Sequence, residues 1–186
     1  MKILIITNGT YHSAVSFETK LPAYQIYWGR HYLQIMSCLK ELRKKKYQVD
    51  YYIYSLSHGL IEYDREVTRE TCDWRGWGKK KLSAYGRSKS FPEIFAKLLQ
   101  EYDLAFILLS KDFLYSLCLS SKEINKYFCL LHTKLLFFVG NGCDNLLPSY
   151  QNMIKIHTGP VEAAKYKINL LELKSYFLKE VCANIF

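Results

Sequence analysis

His58 sits in the segment Tyr54-Ser55-Leu56-Ser57-His58-Gly59-Leu60-Ile61, directly after the aromatic and apolar run Val49 to Tyr54. Its imidazole titrates near neutrality, which suits general acid–base work. Asp64 and Glu66 follow six and eight residues later and are expected either to orient the ring or to act as a carboxylate base. Ser55 and Ser57 add hydroxyls able to hold a base or a sugar. The plainer alternative for His58 is a ring bonded to a nearby carbonyl, and for the two acids it is solvated loop charge.

Other polar clusters also follow apolar runs: Asn8-Gly9-Thr10, Ser110-Lys111-Asp112 and Gly140-Asn141-Gly142-Cys143-Asp144. In a parallel sheet such ends fall on one side and together form a ligand crevice. Lys111 is suited to a phosphate or a carboxylate. Cys143, in a glycine-rich loop, is the cysteine to examine for reactivity. A further stretch, from 74 to 89, interleaves Trp74, Trp77 and Tyr85 with Arg75, Lys79, Lys80, Lys81, Arg87 and Lys89. Aromatics among cations can stack on bases and hold phosphates, or anchor the segment into a core with the lysines wet.

Stepping through the chain, ILIIT (3–7), the run 49–55, LAFILL (104–109) and LLFFV (135–139) predict buried strands, and 153–156 a short edge strand. Apolar spacing predicts helices over 31–46, 112–119, 122–128, about 159–167 and 173–182. Pro22 is placed to open a helix within a segment, 11–27, expected to be irregular. Ser90-Phe91-Pro92-Glu93 reads as a capped helix start. The charged stretch 62–90 lacks clean periodicity and is expected as an insertion or long excursion with room for a short helix. The pattern predicts one α/β domain over 1–186, in three layers. Its sheet would be mostly parallel, with four or five strands and helices on both faces.

Composition narrows the class. Of 186 residues, 49% are hydrophobic, with 16 Tyr and 10 Phe, which argues for a packed core rather than disorder. The formal charge of +9 permits phosphate-rich partners and equally describes a wet lysine surface. Six cysteines lack zinc spacing, and the histidines lack ligand spacing, so no metal is expected. Gly-x-Gly-x-x-Gly, Walker and Gly-x-Ser-x-Gly patterns are missing from the sequence, and no cofactor is expected. No apolar run reaches the roughly 20 residues of a membrane span. Met1-Lys2 leads straight into a short apolar run, without a leader's pattern. A cytoplasmic protein without membrane association is expected; the sequence leaves the oligomeric state open.

Three blocks carry a family resemblance. Ser16-x-x-x-Lys20-x-Pro22-Ala23-x-x-Ile26-Tyr27-x-Gly29 and Ile53 to Ile61 resemble an uncharacterised α/β family. The second block is also similar to the Leu-Ser-x-x-Tyr-Gly-Leu segment of the YaaA peroxide-stress proteins. Gly159-x-x-Glu162-Ala163-Ala164-x-Tyr166, with Leu173-Lys174, resembles the family's closing stretch. Departures are Leu56-Ser57-His58 for Ala-Lys-Tyr, Glu70-Thr71-Cys72 for Pro-Tyr, and Ser175 for a glycine. The resemblance implies an α/β fold and an association with nucleic acids.

Taken together, these readings predict a nucleic-acid- or nucleotide-associated protein, leaning to an enzyme of nucleobase or glycosidic-bond chemistry. Its catalytic set would be His58, Asp64 and Glu66, and its pocket would be lined by Asn8, Thr10, Lys20, Tyr27, Ser55, Ser57, Lys111 and Asn141. The alternatives are a non-catalytic DNA- or RNA-binding protein using Trp74, Arg75, Trp77 and Lys79 to Lys81, and a small-metabolite enzyme or sensor.

Overall fold

ILII within KILIITN and the whole of LAFIL are apolar because these stretches are covered on both faces, as the centre of a parallel sheet requires. A computed structural model describes residues 1–9, 19–27, 32–69, 73–148, 150–170 and 172–184. In chain order its elements begin with β1 (Lys2–Asn8), β2 (Leu21–Pro22), α1 (Ala23–Ile26), α2 (Tyr32–Lys44), β3 (Gln48–Ser55), β4 (Gly59–Glu62) and β5 (Glu66–Val67). Then come α3 (Lys79–Ser88), α4 (Phe91–Leu99), β6 (Leu104–Leu108), α5 (Lys111–Leu117), α6 (Lys122–Phe128) and β7 (Lys134–Val139). A 3-10 turn (Asp144–Leu146), β8 (Met153–His157), α7 (Pro160–Tyr166) and α8 (Leu173–Asn184) complete the order.

The sheet order is β4-β3-β1-β6-β7-β8. Every neighbouring pair is parallel except β3–β4. The five parallel strands therefore run 2-1-3-4-5, the flavodoxin-like doubly wound order, with the direction of winding reversing between β1 and β6. The two faces follow from strand alternation. Leu4, Ile6, Ile107 and Phe137 join Leu82, Phe95, Phe113 and Phe128 of α3 to α6 in one core. Ile3, Ile5, Phe106 and Phe138 join Ala23, Ile35, Leu39 and Leu178 of α1, α2 and α8 in the other.

The expected three-layer α/β architecture is what the structure shows, with differences. Six strands form the sheet rather than four or five, because Gly59–Glu62 turns back antiparallel on β3. The stretch 62–90 holds a helix, as its reading allowed, the ten-residue α3, and also the short strand β5, which was not expected. Gly86 explains the close approach of α3 to α5: a Cβ there would lie 1.8 Å from the Ser116 carbonyl oxygen. Ser90 does not cap α4 with its side chain. It takes a left-handed conformation (φ 53°) to make the sharp α3–α4 turn, and that geometry removes the capping bond. Among the described residues, no helix is long and apolar enough to cross a membrane.

Candidate functional site

The reversal of winding puts the ends of β1 and β6 side by side at one rim, where doubly wound sheets hold ligands. Asn8 joins those ends, its Oδ1 accepting the Ser110 backbone N–H at 3.2 Å. Gly9 follows, and a Cβ there would lie 2.7 Å from the Tyr27 ring, so the chain must be glycine to pass. The Tyr27 hydroxyl in turn donates to Ser55 Oγ at 3.0 Å.

Ser55 is fully buried, and its oxygen also accepts the backbone N–H groups of Ser57 and His58, at 3.1 and 3.2 Å. It is thus the knot of the β3–β4 turn, in place of the expected ligand donor. His58 is exposed at the tip of that turn, and its Nε2 lies 3.0 Å from the Thr68 carbonyl. A carbonyl only accepts, so Nε2 carries the proton. The orienting partner is a backbone oxygen, not a carboxylate.

The predicted catalytic trio is dispersed. Because β4 runs antiparallel to β3, it carries the chain away from the rim. Asp64 lies at the opposite end of the sheet, in a cleft of about 370 Å³ with Lys2, Asp50, Glu101 and Tyr102. Glu66 is exposed in β5, in register with Pro22 of β2. Lys20 is exposed just before β2. Thr10 lies outside the described residues.

The predicted nucleic-acid contacts have other work. Trp74 is half-buried and meets Phe113 edge-on, with ring centroids 5.3 Å apart. Trp77 packs on Tyr85 and carries the Lys81 ammonium 4.0 Å from its own ring centre. Arg75 pairs with Asp73 at 2.8 Å. Lys79 reaches toward Tyr115, and Lys80 is exposed. Trp74 thus packs against α5 and Trp77 against α3, so both rings are engaged with the fold.

What the rim does gather is positive charge. Lys111 opens α5, with its Nζ 3.5 Å from where a Cβ on Gly142 would stand. Gly142 has φ 70°, a conformation that favours glycine and lets the loop pass this ammonium. Asn141 is exposed, and its Oδ1 stands where a Cβ on Gly159 would clash, so the β7 and β8 loops lie close against each other. Lys174, in the first turn of α8, reaches across to donate to the Leu109 carbonyl at the end of β6. Its other two N–H groups have no partner among the described residues. Burial lowers its pKa from 10.5 to about 8, and the Cys143 thiol opposes that shift weakly.

Cys143 is 3% exposed. Burial pushes its thiol up, while Lys174 and Lys111 pull it down. This cysteine, the one to examine for reactivity, is a covered thiol whose burial disfavours the thiolate. At the end of β8, Thr158 is 3% exposed, and its Oγ1 has no hydrogen-bond partner among the described residues. A buried hydroxyl without a partner costs free energy, and a ligand would relieve that cost. Among the described residues no group of three or more His, Cys, Asp or Glu could hold a metal ion.

Lys174 and Thr158 are not singled out as site residues by the sequence. In the sequence, Lys174 stands only within the closing block of the family resemblance. Chemically, the rim offers two ammonium groups, a glycine-lined loop and spare donors, a set suited to an anion.

No protein-family profile and no curated protein match the chain. Among solved structures it is similar to the crystal structure of azoreductase from Bacillus anthracis str. Sterne, over 100% of both chains, at 10% identity and a TM-score of 0.39. A likeness of that size lends no activity to this chain. The expectation of a nucleic-acid- or nucleotide-associated protein is nonetheless corrected. The tryptophans of 74–89 pack against neighbouring aromatic rings, and the His58 trio is not assembled.

Proposed function

We propose that the chain binds a small molecule through an anionic group, a carboxylate or a phosphate, at the rim formed by the ends of β1, β6, β7 and β8. One observation carries this reading: the Lys174 ammonium is desolvated at the end of β6 with one backbone acceptor and two unpartnered donors. Burying a cation so incompletely paired is costly, and a bound anion offsets that cost. Lys111 supplies the second positive charge and the Gly140-Asn141-Gly142 loop supplies close access for a ligand. The unpartnered Thr158 hydroxyl supports a polar ligand rather than an apolar one. With its pKa near 8, Lys174 is also the residue able to exchange a proton with that ligand at neutral pH.

The test is calorimetric titration at pH 7 with inorganic phosphate and with succinate. Saturable binding of either is expected, weakened at least about tenfold by Lys174→Met and less by Lys111→Ala. Absence of binding by both probes, or equal affinity in Lys174→Met, would overturn the reading.

A further inference from the structure

Helix α8 packs beside α2 and over β6. On the same face the outer edge of the sheet is left open at the starts of β6, β7 and β8. Strand pairing fixes which side chains lie there. Leu104 of β6 stands opposite Lys134 of β7, Phe106 opposite Leu136, and Leu136 opposite Ile154 of β8. Paired residues share a face, as do residues two apart in a strand. Leu104, Lys134, Leu136 and Ile154 therefore all stand on the side of α2 and α8, where Leu104 and Leu136 enter the core. Together with Met1 they line a hollow of about 610 Å³. Leu104 and Leu136 are 5% and 4% exposed and make its floor. Ile154 and Met1 are 58% and 49% exposed, apolar side chains left without cover.

We infer that this hollow is a second binding site, for an aliphatic amphiphile with an anionic head, of which a medium-chain carboxylate is the type. Its volume is that of a small-molecule site, and an exposed apolar surface of this kind marks a place of contact. Its apolar lining is aliphatic, which suits an acyl chain laid over Leu104, Leu136 and Ile154. Charge selects the head group. Two charged residues line the hollow, Asp103 and Lys134. Asp103 Oδ2 accepts the backbone N–H of Lys2 at 2.7 Å. The Lys134 ammonium has no ion-pair partner among the described residues and shares its face with the leucines, so a carboxylate at the mouth meets it while the chain stays on the floor. A second copy of the chain fits less well, since a two-fold contact sets hollow against hollow and leaves both unfilled. The hollow lies at the starts of the strands, the opposite end from the rim that holds Lys174, so this inference stands or falls apart from that site.

The experiment titrates the full chain with octanoate, decanoate and dodecanoate by calorimetry, with decanol and decyltrimethylammonium as neutral and cationic comparisons. Saturable binding of one decanoate is expected, tightening about threefold for each added methylene. Lys134→Met should weaken decanoate at least about threefold and leave decanol within about twofold. Ile154→Glu, a change at an exposed position, should weaken decanoate at least about tenfold by setting a carboxylate in the apolar hollow. Methyl NMR of the unaltered chain, which does not depend on how the variants fold, should show decanoate shifting the Leu104, Leu136 and Ile154 signals. Absence of saturable binding, an affinity blind to chain length, tighter binding of decyltrimethylammonium, or shifts confined to other methyl groups would overturn the inference. Loss of decanoate binding in Lys174→Met would also overturn it, by moving the carboxylate to the rim. So would a dimer, seen by light scattering, that Ile154→Glu dissociates and decanoate leaves intact.

Discussion

Replacing Lys174 with Met separates a site lysine from a structural one. The fall of its pKa from 10.5 to about 8 means that the folded state disfavours the charged amine by about 3 kcal/mol. The sign follows from linkage. Below pH 8 the lysine is charged in both folded and unfolded chains, and the full cost is present. Between pH 8 and 10.5 the folded chain gives up the proton first, so the cost fades as pH rises. Methionine fills a similar volume without charge. It forfeits the hydrogen bond to the Leu109 carbonyl, a loss of about 1 kcal/mol. Lys174→Met should therefore be more stable at pH 7 by about 2 kcal/mol, a Tm gain of about 5 °C for a chain this size. Urea unfolding at pH 7 and pH 9.5 measures it, and the advantage should shrink at the higher pH. A variant less stable than the parent at pH 7, or an advantage that ignores pH, would show that the lysine serves α8 docking rather than a ligand.

Three further outcomes follow from the packing. Gly86→Ala drives a methyl group into the Ser116 carbonyl and should cost at least about 2 kcal/mol in chemical denaturation, whereas Gly140→Ala, with nothing within 4 Å of the added Cβ, should stay within about 0.5 kcal/mol. Ser55→Ala removes an acceptor shared by three donors at a fully buried position, so a loss of about 2 kcal/mol is expected by the same assay. His58→Ala removes an exposed ring from a carbonyl; titration with phosphate should find unchanged affinity, and unfolding a change under about 1 kcal/mol.

The buried strands were legible because the centres of β1, β6 and β7 are covered on both faces and so read as continuous apolar runs. β4 was hidden by its length of four residues. The bounds of α3 were hidden because its key contact is Gly86, which packs by having no side chain and so adds nothing to a hydrophobic pattern. Nearness along the chain misled at His58 and Asp64, since the antiparallel β4 between them carries Asp64 to the far end of the sheet. Asn8, Lys111 and Asn141 were legible as rim residues because each follows an apolar strand. Lys174 was not, because a lone lysine in a helix reads as solvated, and its burial arises only when α8 docks across β6.

The most direct measurement is the pKa of Lys174 itself, followed by NMR of its side-chain resonances with and without saturating inorganic phosphate. Without phosphate a value near 8 is predicted. It should rise when the anion binds, because the anion stabilises the ammonium form. A value near 10.5 in the free chain, or one that phosphate leaves unmoved, would contradict the account.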